Sequence, residues 1–255
     1  MRSSYPLIGC FLLFLAIPLQ STAEELHVAV VMAFLETLQQ IKPLFEQETG
    51  HTLVITHASA EILLQKIERG ESIDVLLSSD EEHPNYLIQK KLAIPDSFFV
   101  YALGRLVLWT HSGLSLSEKT LLKINNLALP NPNDAPYGHA AQQVLEGLHL
   151  WEQMQPKIRL VKTTVEAYQE TLEKKAEAGF ISLSQYLSSL DNLGTYSWII
   201  PQYLHSPLSH GAVILKATKH PTAARAFLKF LRHPAALRII REFGFRTPSQ
   251  PGPDD

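Results

Sequence analysis

The sequence predicts an α/β protein built as two lobes. Three observations carry this reading. Short apolar, β-branched runs alternate with stretches whose apolar residues recur at helical spacing. The short runs are almost continuously apolar, as in strands buried on both faces and joined by helical crossovers of a dozen or so residues. The alternation also breaks at a long β-rich run, Phe98 to Trp109, and then starts again.

The elements follow in order. Leu26 to Val31 has the length and character of a strand. Phe34, Leu38, Ile41 and Phe45 then mark one helix face, which Gly50 closes. Thr52 to His57 is a second strand, and Ile62, Leu63 and Ile67 mark a second helix stopped by Gly70. Ile73 to Leu77 is a third strand and Glu81 to Lys91 a third helix. After the Phe98–Trp109 run come a strand at Leu127–Leu129, a helix from Gly138 to Leu150, a strand at Ile158–Val161, a helix from Val165 to Ala176 and a strand from Gly179 to Leu183. Ser197–Ile200 and Ala212–Leu215 are β-rich. The chain finishes in two helical stretches, Thr222–Arg232 and Ala235–Phe243.

These elements divide into a first lobe of about residues 24–100 plus a returning segment, 205–247, and a second lobe of 104–203. Two connecting segments then form a hinge, and clefts between lobes are favoured ligand sites. The competing reading is one continuous α/β domain with no cleft. Residues 248–255, with Pro248, Pro251 and Pro253 ahead of two Asp, read as a flexible tail.

Residues 1–23 read as a cleavable signal peptide: Arg2, an apolar run from Leu7 to Leu19, then the small residues Ser21-Thr22-Ala23. The run is short for a membrane span, which needs about 20 apolar residues. An uncleaved anchor is the alternative. Cys10 follows Leu7-Ile8-Gly9 as in a lipoprotein box, but it stands near the start of the apolar run instead of after it. It is the only cysteine, so cleavage after Ala23 leaves a chain with no disulfide, thiolate or Cys-ligated metal. Loss of Arg2 leaves 21 basic against 25 acidic residues, a net charge of about −4. That balance argues against a nucleic-acid partner, which demands a basic face.

No nucleophile elbow, phosphate-binding Gly-rich loop or H-E-x-x-H pair is present. The 11 His residues are scattered, and neither His205/His210 nor His139/His149 has a metal-site spacing. These histidines are expected to be solvated or locally paired. The strand-to-helix junctions carry more. Ligands of open α/β sheets bind beyond the carboxyl ends of the strands, where helix N-termini present free N–H groups to anions. Three junctions stand out: Met32-Ala33-Phe34, His57-Ala58-Ser59-Ala60-Glu61, and Asn131 to Gly138 with its Pro132 and Pro136. Each also reads as an ordinary βα turn.

At these junctions the chain resembles the periplasmic molybdate-binding proteins of bacterial ABC transporters, over about Leu26 to Arg246. Leu26-His27-Val28-Ala29-Val30-Val31 looks like the family's first strand, and His57-Ala58-Ser59 like its F-A-S segment ahead of a helix ending Ile67-Glu68-Arg69-Gly70. Ile73 to Asp80 is similar to its A-D-x-F-I-S-A-D stretch. Asn131-Pro132 with Pro136-Tyr137-Gly138 is similar to its D-P-x-x-x-P-A-G loop. Ala178-Gly179-Phe180-Ile181 resembles its A-G-F-V run, and Phe243-Gly244-Phe245 its final Y-G-F. The resemblance implies a type II periplasmic binding fold whose two lobes close on a ligand by hinge motion. It also implies no cofactor and no enzymatic step. Its partners are a small oxyanion, molybdate or tungstate, and a membrane ABC permease that receives it. The protein is then periplasmic and monomeric, and any metal arrives inside the oxyanion with no residue ligating it directly.

In that family two Ser hydroxyls, a Tyr hydroxyl and backbone N–H groups hold the anion without a countercharge. By position the two Ser fall on Ala33 and Ala60 and the Tyr on Ser182. The backbone donors fall on Tyr137 and Val165. A hydrogen bond to a charged group contributes about 1.5–3 kcal/mol. Two lost hydroxyls therefore weaken binding by about 3–6 kcal/mol if the effects add, roughly two to four decades. Ser59 is a replacement donor after a local shift, or simply a helix cap. His57 supplies a charge when protonated, or is an exposed strand-end imidazole. Three further readings stay open: the same fold holding an organic anion or larger solute, an exported enzyme, and a binding protein that now acts only through a protein partner.

Overall fold

A computed structural model describes residues 23–189 and 196–248. The leader, apart from Ala23, and the tail, apart from Pro248, lie outside the described residues, as does Cys10.

Ten strands form two five-stranded sheets among the described residues. The first has the order β2-β1-β3-β10-β4, with β1 Glu25–Val31, β2 Thr52–Ala58, β3 Val75–Leu77, β4 Phe99–Gly104 and β10 Leu208–Ile214. The second has the order β7-β6-β8-β5-β9, with β5 Leu106–Thr110, β6 Leu127–Pro130, β7 Ile158–Val161, β8 Ala178–Ser182 and β9 Ser197–Ile199. Helices α1 (Leu35–Thr49), α2 (Ala60–Glu68), α3 (Glu82–Gln89), α8 (Pro221–Phe230) and α9 (Pro234–Glu242) accompany the first sheet. Helices α4 (Pro136–Gly147), α5 (Trp151–Met154), α6 (Thr164–Leu172) and α7 (Leu183–Ser188) accompany the second.

The local chemistry accounts for these elements. Leu38, Ile41 and Phe45 are fully buried on one face of α1, and Gly50 ends the helix in the left-handed region at φ 75°. Phe45 meets Phe227 and Phe230 edge-on, which docks α8 onto α1. Gly138 is required where α4 passes over β6, because a Cβ there would stand 2.1 Å from the Pro130 carbonyl oxygen. The first sheet lies in one large apolar cluster, and the second is covered on each face by its own cluster.

Both sheets share one plan: three parallel strands, then one antiparallel strand, then an edge strand. The three strands read from Leu26 to Leu77 as parallel are parallel, and the antiparallel strand beside them comes from elsewhere in the chain. The odd strand is β10 in one sheet and β5 in the other, each arriving from the opposite lobe. It enters from the far end and so runs against its neighbours. The Phe98–Trp109 run accordingly splits at Gly104 and Arg105 into strands of different sheets. The chain returns between Ile200 and Leu208, and Arg246 pairs with Leu103 beside the first crossing. The strand expected from Gly179 to Leu183 stops at Ser182, where the unanticipated helix α7 begins. The helix expected from Gly138 to Leu150 starts at Pro136 and closes at Gly147. His149 then turns the chain at φ 59° into the short α5.

Candidate ligand-binding site

The strand ends of the two sheets face each other across a cleft of about 600 Å³. Lobe 1 contributes Met32, Ala33, Ser59, Ala60, Glu61, Ser79 and Asp80. Lobe 2 contributes Asp134 to Tyr137 and Lys162 to Val165. Five residues picked from sequence therefore line one cavity: Ala33, Ser59, Ala60, Tyr137 and Val165. Ser182 lines an adjoining space of about 230 Å³ that shares Ala33 and Val165 with it. His57 lines neither. Its ring is exposed, with Nδ1 3.2 Å from the Met32 sulfur.

Three helices begin at this cleft. The first-turn N–H groups of a helix have no acceptor within it, and the axis presents about half a positive charge there. Ala60 and Glu61 open α2, Tyr137 follows Pro136 at the start of α4, and Thr164 and Val165 open α6. A fourth donor set comes from the 3-10 turn Met32–Phe34 that precedes α1.

The side chains around these donors are largely committed. Ser59 Oγ caps α2 by accepting from Ile62 N–H at 3.5 Å, which leaves its own proton free to donate. Thr163 Oγ1 caps α6 by accepting from Glu166 N–H at 3.1 Å, and the Glu166 carboxylate accepts from Lys162 N–H at 2.7 Å. Ser182 is buried and caps α7 by accepting from Gln185 N–H at 3.2 Å. Of the three acidic side chains on the cleft, Asp80 accepts from Ser78 Oγ, His83 N–H and His83 Nδ1, and Asp134 accepts from Asn131 Nδ2. Lys162 is the cationic residue of the lining.

Behind Tyr137 runs a buried hydrogen-bond chain that spacing in the sequence did not reveal. Tyr101 O–H donates to the Ser78 carbonyl at 3.1 Å. Its oxygen therefore accepts from His210 Nδ1–H at 3.3 Å, and His210 Nε2 accepts from Tyr137 O–H at 3.3 Å. Burial pushes the His210 pKa down to about 4 and both phenol pKa values up. The imidazole is thus neutral and the phenols protonated, as this chain needs. The crossing at Gly104 passes so close that a Cβ there would stand 2.2 Å from the Tyr137 hydroxyl. His210 is buried, not solvated, and it joins the lobe-2 helix α4 to the lobe-1 strands β4 and β10. Tyr137 lies 73 positions and Tyr101 109 positions away in the chain, so only the fold makes the trio visible.

Residues 26–246 match the sequence pattern of the bacterial extracellular solute-binding proteins. This chain belongs to that family. Among the relatives of this solute-binding protein, the molybdate-binding protein ModA of Rhodobacter capsulatus is 34% identical over 92% of this chain and 93% of its own length. The ModA of Azotobacter vinelandii is 33% identical, covering 88% of this chain and 90% of its own. The solved structure of the Azotobacter vinelandii periplasmic molybdate-binding protein superimposes with a TM-score of 0.79 at 32% identity, covering 88% of this chain and 99% of that one. The sulfate-binding protein SubI of Mycobacterium tuberculosis, 11% identical with a TM-score of 0.72, shares the fold alone. The two-lobed α/β architecture expected from sequence is the architecture of the family.

Proposed function

We propose that this solute-binding protein captures a tetrahedral oxyanion, molybdate or tungstate, between its lobes and hands it to an ABC permease in the cytoplasmic membrane. It does so as a monomer in the periplasm, after export by the leader and cleavage behind Ala23. The observation that carries the reading is the convergence of three helix N-termini and one 3-10 turn on a single interlobe cavity. The two curated relatives at about a third identity support the choice of anion, since both are molybdate-binding proteins.

Capture needs no covalent step. Peptide N–H groups of Ala33, Ala60, Tyr137 and Val165 are the anchors, because a backbone donor survives every substitution except proline. Ala33 and Ala60 bring no hydroxyl, so Ser59, whose proton is not used by its cap, is the side-chain donor at the α2 end. His57, whose exposed ring lies against the Met32 sulfur, stands outside the cavity and is not one of these anchors. Closure of the lobes excludes water, and in that drier space each N–H bond to the anion strengthens.

Calorimetric titration of the mature protein with molybdate, tungstate and sulfate tests this. The expected result is saturable heat with molybdate and tungstate at one anion per chain, and much weaker heat with sulfate. Absence of both heat and thermal shift at millimolar molybdate and tungstate defeats the proposal. Stabilisation by organic anions alone moves the ligand to that class.

A further inference from the structure

The turn from β8 into α7 reaches across to the other lobe. Ser182 Oγ accepts from Gln185 N–H at 3.2 Å and lies 3.0 Å from Ser184 Oγ. Ser184 Oγ in turn lies 3.1 Å from the carbonyl oxygen of Ala33, a residue 151 positions away in lobe 1. The direction of the chain follows from proton counting. A carbonyl only accepts, so the Ser184 proton goes to Ala33. The Ser182–Ser184 bond must then use the proton of Ser182. Both hydroxyls are buried, and both protons are spent within the protein.

The contact is made at two places. Besides the bond to Ala33, α7 packs on the lobe-1 segment after α9: a Cβ on Gly244 would stand 2.8 Å from Leu183 Cγ and 2.9 Å from Leu187 Cδ1. Gly244 has φ 81°, so this close approach and the left-handed turn both call for glycine.

We infer that Ser184 is a positioning residue of the anion site: its hydroxyl straps α7 of lobe 2 to the Met32–Phe34 turn of lobe 1 and holds that turn in place before the anion arrives. The inference rests on the reading of the cleft as an anion site. Fixing the Ala33 carbonyl restrains the backbone of a short turn whose Met32 and Ala33 line the cleft. Less motion remains to be frozen on binding, which raises affinity without adding a contact to the ligand. Ser182, at the position where the resemblance puts a ligand hydroxyl, acts as a strut for Ser184.

The test compares wild type, Ser184→Ala and Ser184→Thr in the mature chain. Solution X-ray scattering reports the ligand-free radius of gyration, and calorimetry with molybdate reports affinity. Ser184→Ala is expected to enlarge the ligand-free protein, to return to the wild-type size at saturating molybdate, and to bind about tenfold more weakly, the equivalent of one buried hydrogen bond. Ser184→Thr, which keeps the hydroxyl, is expected to restore both values. Unchanged size and affinity in Ser184→Ala overturn the inference. If wild type binds no oxyanion, the functional proposal falls, and the scattering comparison alone decides the strap. Should Ser184→Ala not fold, spin labels on Gln39→Cys and Glu173→Cys in the mature chain give the interlobe distance directly. A single narrow distance without ligand supports the strap, and a broad distribution that narrows only with molybdate overturns it.

Discussion

Asp80 stands where β3 runs out into the cleft, a poor place for a bare carboxylate if an anion is to enter. Burial acts to raise its pKa, yet the hydrogen bonds and positive charge of His83, with help from Ser78, leave it below the usual carboxylate range. The hydrogen bond that His83 donates to Asp80 raises the His83 pKa, against the opposing effect of burial. The two signs define a window. The contribution of Asp80 is present above its unfolded value of about 3.8 and fades as pH falls through the lower folded value. That of His83 is full below about 6.5 and fades as pH rises through its raised folded value. The pair therefore stabilises most between about pH 4 and 6.5. Urea unfolding of His83→Gln across pH is expected to show a deficit on the order of 1 kcal/mol in that window. The deficit should shrink as pH rises through the raised His83 pKa and the wild-type imidazole loses its charge; a deficit that grows with pH contradicts this assignment. The sequence showed Ile73 to Asp80 as a strand and its exit, but an Asp three residues before a His is too common a pattern to single out.

Among the elements, α6 shows how a helix N-terminus is prepared as a donor site. Thr163 accepts from Glu166 N–H, and Glu166 reaches back to Lys162 N–H, so two loose donors are tied. The remaining first-turn N–H groups are then free for a ligand. Thr163→Ala removes the cap and is expected to lower stability by about 0.5–2 kcal/mol. It should also weaken molybdate binding several-fold, measured by calorimetry, because Val165 is in the turn that frays. Unchanged affinity together with the stability loss would detach α6 from the site. This helix was legible from its spacing, whereas α7 was not. Ile181-Ser182-Leu183-Ser184 alternates apolar and polar residues, which continues the strand pattern. What ends β8 is the local capping bond of Ser182 to Gln185 N–H together with the cross-lobe bond of Ser184, and only the second of these is a tertiary contact.

At the scale of the molecule, two sheets of the same plan are joined by two crossings of the chain, and the cleft lies between their parallel strand ends. The Tyr101–His210–Tyr137 chain beside Gly104 and the Ser184 strap tie the lobes on either side of that cleft. A ligand that binds only the folded cleft stabilises the whole protein by mass action. At a free concentration of about 100 times Kd the gain is about 2.7 kcal/mol. For a chain of this size each kcal/mol raises Tm by about 2–4 °C, so a rise of about 5–10 °C is expected in a thermal melt with molybdate. A melt that moves only one of two resolved transitions would place the anion on a single lobe instead of between them.

The sequence by itself determined the alternation of strands and helices, the division into two lobes, and the strand-to-helix junctions at residues 32–34, 57–61 and 131–138. These are local matters: apolar periodicity, glycine stops and capping residues act within a few positions of one another. Five of the seven site residues it suggested meet in one cavity, each at a strand-to-helix junction, while His57 and Ser182, at such junctions too, are kept out of it by the fold. Only the tertiary structure decided that β5 and β10 run antiparallel, that α7 exists, and that the protons of Ser182 and Ser184 are already spent. It alone brought His210 between two tyrosines. Strand direction depends on which lobe the chain arrives from, and a hydroxyl's role depends on what it faces. Both are set by contacts between residues 70 to 150 positions apart, a distance over which no pattern in the chain carries information.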